Sequence, residues 1–259
     1  MNIKFLTRQQ LEIINRKTLR YPLQIAEKDY FLALVMQIIS ESPMKNILIF
    51  KGGTALHHCY LKQFRFSEDL DFSSNQRSLS LNKIREIFNK LDFLEIKKDY
   101  ISKATIKIEK LQYLGPLMQP NSLKVEIDFL QNVYLPPQKE KYENVWGLAF
   151  FVNVMDIKEI CAEKIRAMND RIRYRDFYDF SMIIKKHSLN LVEIINIVRK
   201  KEIRKSISSK NIKDNWKIAR GDKQNDYQSI YFSEILEEKE ISNYLSMLKF
   251  EEIKKSRNG

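Results

Sequence analysis

The stretch that most constrains this chain is Lys51 to Phe72, KGGTALHHCYLKQFRFSEDLDF. An apolar run, Ile47 to Phe50, leads into it and reads as a short buried strand. Two glycines follow, then a helix-compatible segment from Thr54 to Lys62. In the last piece, Ser67, Asp69 and Asp71 alternate with Leu70 and Phe72. Residues i and i+2 of a strand share a face. Asp69 and Asp71 are therefore expected side by side, with Leu70 and Phe72 turned to a core.

Two carboxylates on one strand face repel each other and invite a divalent cation. Mg²⁺, or Mn²⁺ in its place, takes oxygen ligands and shares its shell with water and substrate phosphates. A glycine turn after a strand lets backbone N–H groups approach a phosphate. Gly52, Gly53 and Thr54 thus read as a phosphate cradle beside a metal platform of Asp69 and Asp71.

Around this block, the Thr7-x-x-Gln10 capping box opens a helix from Leu6 to Arg16. Phe31, Leu34, Val35, Ile38 and Ile39 predict a second helix over Gln24–Glu41, whose charged first turn, Glu27-Lys28-Asp29, is read as solvated. Leu79–Leu91 is a third, amphipathic helix. Strands are expected at Leu94–Lys98, Ala104–Tyr113, Leu123–Leu130 and Ala149–Val154, with a proline-bearing turn at Gly115–Asn121. On Leu123–Leu130, Val125, Ile127 and Phe129 share one face and Glu126 and Asp128 the other. By alternation alone this is a half-exposed strand.

After Asn153 the pattern turns helical. Asp156-x-x-Glu159 resembles a capping box, and Ile157, Ile160, Cys161, Ile165 and Met168 form one stripe of the helix that follows, to about Asp170. Lys164 falls inside the stripe and Arg171 near its edge. Burying an unpaired ammonium is costly. Lys164 therefore either snorkels past the stripe or points into a cleft at phosphates. Arg166, on the opposite face, is expected to take no part. Helices are also expected at Leu189–Lys201 and over Ile230–Glu252. Between them, residues 199–220 hold nine Lys or Arg against two acids, with Trp216 interleaved. They read as a solvated loop or a phosphate contact with one stacking aromatic. His57 and His58, adjacent on a helix, diverge and do not form a metal pair.

Lys51-Gly52-Gly53-Thr54-Ala55-Leu56, followed by Arg65-Phe66-Ser67-x-Asp69-Leu70-Asp71-Phe72, resembles the signature of the AbiEii/AbiGii toxin family of nucleotidyltransferases, within the DNA polymerase β-like superfamily. Gly53-Thr54 stands where many superfamily members have Gly-Ser, and the spacer to Asp69 is long; both match the AbiEii-like branch. Ala26 to Tyr30 also resembles the family and makes Lys28 a candidate at the fringe of the site. So does Ala162-Glu163-Lys164 with Arg175-Asp176-x-Tyr178-Asp179. The likeness is strongest over residues 26–72 and 123–180.

The resemblance implies an α+β fold: a nucleotidyltransferase-type mixed β-sheet with flanking helices over 1–154, whose N-terminal helices are free to pack on the second domain, then an α-helical bundle domain over 155–259. It implies Asp128 as third catalytic and metal-binding carboxylate, with Glu126 as fallback. Lys164 becomes catalytic, facing the departing pyrophosphate. Lys51, Gly52, Gly53, Thr54, Arg65, Ser67, Arg175, Asp176 and Asp179 become substrate-binding candidates, with Asp176 ranked above Asp179 as the partner that orients Lys164 or Arg175. The reaction is Mg²⁺- or Mn²⁺-dependent transfer of NMP from an NTP. RNA, such as a tRNA 3′ end, is the favoured acceptor, in a toxin acting beside an antitoxin. A protein or small-molecule acceptor, or a non-catalytic RNA-binding module, are the alternatives.

Composition supports a polyanionic partner. Lys and Arg number 45 against 33 Asp and Glu, a formal charge of +12, although the Lys, Ile and Asn of an AT-rich genome give the same excess. No apolar run reaches the ~20 residues of a membrane span. Met1 to Arg8 is too short for a signal peptide. Cys59 and Cys161 are read as buried thiols in a cytoplasmic protein. No repeat and no CxxC, HExxH or GxSxG motif is present.

Overall fold

The computed structural model describes residues 5–74, 79–201, 203–221 and 230–255. Helix α1, Arg8–Lys17, starts at the expected box: the Thr7 hydroxyl accepts from the Gln10 N–H at 3.2 Å, and the Gln10 side chain accepts from the Thr7 N–H at 2.9 Å. Helix α2, Leu23–Glu41, is buried along most of its length. Its first turn is not solvated. Glu27 is buried and accepts from the Leu117 N–H at 2.7 Å, and Asp29 is fully enclosed.

Strand β1, Ile49–Lys51, begins later than its apolar run, because Ile47 and Leu48 close the 3₁₀ turn Pro43–Asn46 through N–H bonds to the Met44 carbonyl. Helix α3, Gly52–Ala55, continues as a π turn over Leu56–Tyr60. Strand β2 is Asp69–Ser73 and helix α4 Leu81–Phe88. Then come β3, Leu94–Ile101, β4, Thr105–Leu114, β5, Pro120–Asp128, β6, Gln138–Lys141, and β7, Phe151–Val154. Strand β6 has no apolar residue to mark it. It is an edge strand carried by backbone pairing with β7.

The strands form one mixed sheet in the order β3-β4-β5-β2-β1-β7-β6. β1 is antiparallel to β2 and parallel to β7, while β2 is parallel to β5. The two central strands therefore carry the glycine turn and the aspartate pair. Helices α5, Ile157–Asp170, α6, Tyr174–Lys186, α7, Leu191–Lys200, α8, Ser209–Ala219, and α9, Glu238–Ser246, follow. One apolar core runs from the sheet into these helices.

Two expectations fail in this half. Residues 209–219 are helical, with Ser208 capping the Asn211 N–H and with Ile212, Trp216 and Ala219 buried. Trp216 packs on Tyr174 and Phe177, at 5.8 and 5.3 Å between ring centroids, and its Nε1 donates to Ser242. It offers no face for a base. At the start of α5, Asp156 caps the Lys158 N–H, but Glu159 does not complete a box. Its carboxylate accepts the Tyr134 and Leu135 N–H groups and meets Lys201 at 2.5 Å. No helix is long and apolar enough to cross a membrane among the described residues.

Candidate active site

On β2, Leu70 and Phe72 are buried while Asp69 and Asp71 share the opposite, half-exposed face. The parallel neighbour β5 sets Lys124 beside Asp69, Glu126 beside Asp71 and Asp128 beside Ser73. Burial and the Asp69 charge push the Asp71 carboxyl up to about 6, partly offset by Lys51. Asp128 is satisfied differently. Its Oδ2 lies 3.2 Å from Lys51 Nζ, and its Oδ1 accepts the Leu130 and Gln131 N–H groups at 2.8 and 3.2 Å. Burial opposes its charge, yet Lys51 and these N–H groups hold it below the usual carboxylate range. Glu126 pairs with Lys107 at 3.1 Å and Lys124 at 3.3 Å.

The glycine turn is pressed against this platform. Gly52 has φ +79°, and a Cβ there would meet Asp71 Oδ2 at 2.5 Å. A Cβ on Gly53 would lie 2.7 Å from Arg65 Nη2 and 2.8 Å from Ser67 Oγ. Thr54 is fully buried, and its hydroxyl donates to the Asp69 carbonyl at 2.5 Å. Thr54 therefore ties the turn to β2 and presents no hydroxyl to the cleft. Lys51 is also buried and pairs with Glu163 at 3.7 Å as well as Asp128. Burial works against its charge, but the two carboxylates raise its pKa above the ordinary lysine value.

A buried ion network backs the cleft. Lys164 Nζ lies 2.6 Å from Asp179 Oδ2 and 3.2 Å from Asp176 Oδ1. Arg65 grips Asp179 with Nε and Nη2, each at 2.7 Å, and His57 Nε2 meets it at 3.1 Å. Arg171 holds Asp176 at 2.7 and 3.0 Å. Burial opposes ionisation of Asp179, but Arg65 and Lys164 hold it far below the usual carboxylate range.

These contacts correct the sequence reading at several residues. Lys164 is neither snorkelling nor unpaired. Asp179 is fully buried with more partners than Asp176, because α6 turns both carboxylates inward against Lys164. Asp179 lies behind the cleft wall, and Arg65, although it grips Asp179, still lines the cleft beside Gly53. Arg166 does line the cleft, together with Lys164. Ser67 and Arg175 line it too. Lys28 sits at the fringe through a 2.7 Å pair with Glu68.

Sequence reasoning missed Asp29, Lys124, Glu163 and Lys201. Asp29 accepts from Gln63 Nε2 at 2.5 Å and Trp146 Nε1 at 2.8 Å. It thereby anchors Gln63, which like its neighbour Lys62 has positive φ, two residues ahead of Arg65. Glu163, between Lys51 and Lys201, falls in the Ala162-Glu163-Lys164 run, which was its only signal. His57 and His58 diverge, the latter stacking on Tyr142 and meeting the Glu143 carbonyl at 2.8 Å. Cys161 is buried and Cys59 half-buried.

No cluster of three or more His, Cys, Asp or Glu stands ready to enclose a metal among the described residues. The donor set nevertheless fits a hard divalent cation. Asp69 and Asp71 are oxygen ligands facing a cleft, and burial, then the Asp69 charge, raises the Asp71 carboxyl, so that a bound cation would favour its anion.

Comparison with known structures places the fold, and a family profile gives the class. The fold matches that of MenT4, a nucleotidyltransferase toxin from Mycobacterium tuberculosis H37Rv, with TM-score 0.57 and 22% identity over 75% of this chain and 68% of that one. It also matches JHP933 from Helicobacter pylori, with TM-score 0.56 and 17% identity over 86% of this chain and 89% of that one. Among curated proteins, none matches. The family profile described as "Nucleotidyl transferase AbiEii toxin, Type IV TA system" covers residues 33–253, and the chain belongs to this AbiEii nucleotidyltransferase toxin family.

Proposed function

We propose that this nucleotidyltransferase moves NMP from an NTP to an RNA hydroxyl, such as that of a tRNA 3′ end, in a Mg²⁺- or Mn²⁺-dependent reaction. The observation that carries this reading is the Asp69–Asp71 pair facing the Gly52–Gly53 turn in a cleft with cationic walls. Asp69 and Asp71 would hold the cation, with Asp128 or Glu126 alongside. A bound cation of this kind lowers the pKa of an attacking hydroxyl and neutralises phosphate charge.

The chain's own residues supply the rest. Gly52 and Gly53 leave room for phosphate oxygens. Lys164, fixed by Asp176 and Asp179, and Arg171, fixed by Asp176, offset charge that builds on the leaving pyrophosphate. Positioning and electrostatics suffice for such transfer, and no covalent nucleophile is needed. Residues 1–154 act as the nucleotidyltransferase domain and 155–259 as the helical domain that closes the cleft. The formal charge of +12 suits an RNA acceptor. The family's toxin–antitoxin context suggests an antitoxin partner.

The test is to incubate the protein with each labelled NTP, Mg²⁺ or Mn²⁺, and total RNA. Label entering RNA, and lost on chelation, is expected. Label entering only protein or a small molecule would contradict the RNA assignment, and no transfer with any NTP would contradict the reading as a whole.

A further inference from the structure

The cleft has two lobes, and Lys51, Asp71, Asp128, Lys164 and Arg171 line both. The first lobe, about 340 Å³, passes Gly52 and runs along α5, where Ile160 and Ala167 give an apolar patch and Arg166 and Arg204 add charge. The second, about 280 Å³, passes Gly53, Ser67 and Asp69 and is flanked by Lys124, Arg173 and Arg175. Transfer at phosphorus sets the attacking and leaving oxygens roughly in line, on opposite sides of the phosphorus. A reaction centred on Asp71 therefore needs a compartment on each side. The apolar patch suits a nucleoside and the flanking arginines its phosphates, so the first lobe fits the NTP.

We propose that the second lobe is the acceptor subsite, and that Lys124, Arg173 and Arg175 hold backbone phosphates next to the reacting hydroxyl of the acceptor strand. This rests on the RNA reading above and deepens it, since all three cations line the lobe that holds Ser67 and Asp69. Lys124 is well placed. Its register partner is Asp69, and its ammonium lies within the fields of Asp69 and Asp71 while pairing with Glu126 at 3.3 Å. Arg173 is the exposed residue that precedes α6, and Arg175 is half-buried at the second position of that helix. In the transfer, the acceptor oxygen bonds to the α-phosphorus as the bond to the bridging oxygen breaks. The electron pair leaves with pyrophosphate, and the hydroxyl proton passes to solvent.

The experiment measures two affinities on the full chain. Titration calorimetry follows a non-hydrolysable triphosphate with Mg²⁺, and fluorescence anisotropy follows a single-stranded RNA oligonucleotide. Lys124→Gln and Arg173→Ala are each expected to weaken RNA binding roughly five-fold and lower the salt slope by about one, with triphosphate affinity within roughly two-fold of wild type. Arg204→Ala is expected to do the reverse. Loss of triphosphate affinity in Lys124→Gln, or equal loss of both ligands in Arg204→Ala, overturns the division. If wild type labels RNA but the acceptor KM ignores Lys124 and Arg173, this inference fails and the function stands. If wild type binds triphosphate and no RNA even at low salt, the RNA reading falls and the acceptor subsite with it.

Discussion

Lys164 on α5 and Asp179 on α6 meet at 2.6 Å, and the same carboxylate is gripped by Arg65 from the loop before β2. One buried aspartate thus fixes the cation that faces the cleft and locks the helices to the segment carrying Ser67 and Asp69. Charge pairs this deep add little net stability when intact, but removing one partner strands the other.

Lys164→Met is accordingly expected to destabilise the protein by about 2–4 kcal/mol, even though the methionine keeps the packing of the stem. Denaturant midpoints read this directly. Asp179→Asn should cost at least as much as Asp176→Asn, since Asp179 also serves Arg65 and His57. A neutral Lys164→Met would show that the network is not formed.

The helical spacing around Lys164 was legible in the sequence, and so was the oddity of a charge inside an apolar stripe. Its partners were not. Periodicity gives the face of a helix but not what another element brings to it, and Arg65 and Asp179 are 114 positions apart. The Asp69–Asp71 face was readable because a strand's period is local and Leu70 and Phe72 mark the core side. The neighbour of Asp71 on β5 was not, because register between distant strands is set by tertiary packing. That register puts Glu126, not Asp128, level with Asp71. For Trp216, the basic residues around it hid an ordinary apolar stripe with Ile212 and Ala219.

The two β5 carboxylates can be separated by mutation. Asp128 faces Lys51 and closes a turn through two N–H bonds, whereas Glu126 pairs with two partly exposed lysines. Asp128→Ala is expected to lower transfer by roughly 100-fold or more, while Glu126→Ala costs less than about ten-fold. Single-turnover rates at saturating NTP decide between them. The opposite ranking would make Glu126 the third carboxylate.

His57 gives a pH signature. Burial and then Arg65 lower its pKa from 6.5 to about 4, with Asp179 only partly restoring it. The folded protein keeps the ring neutral while the unfolded chain takes up a proton below 6.5. Its contribution is therefore present above pH 6.5 and is lost as pH falls towards 4. His57→Gln, which preserves an Nε2 donor towards Asp179, should flatten the fall of unfolding free energy over that window by up to about 3 kcal/mol. An unchanged slope would place the ring in contact with water.

Gly52→Ala should be damaging for two reasons. Its φ of +79° is strained for any other residue, and the methyl would run into Asp71. A stability loss of about 1–3 kcal/mol is expected together with loss of transfer. Wild-type turnover in this variant would show that the turn and Asp71 are not in contact during the reaction.

The most direct measurement is transfer of labelled NMP by Asp71→Asn, made alongside its stability. Asp71 is held up to about 6 in the fold by burial and by Asp69, so at pH 7 its charge costs stability. That cost is relieved as pH falls through 6 towards 4. Asp71→Asn is expected to be more stable than wild type by about 1–2 kcal/mol at pH 7, with the advantage fading near pH 4. Transfer should fall to background at every Mg²⁺ or Mn²⁺ concentration. Transfer near the wild-type rate by a folded Asp71→Asn protein would contradict the assignment of Asp69 and Asp71 as the catalytic platform.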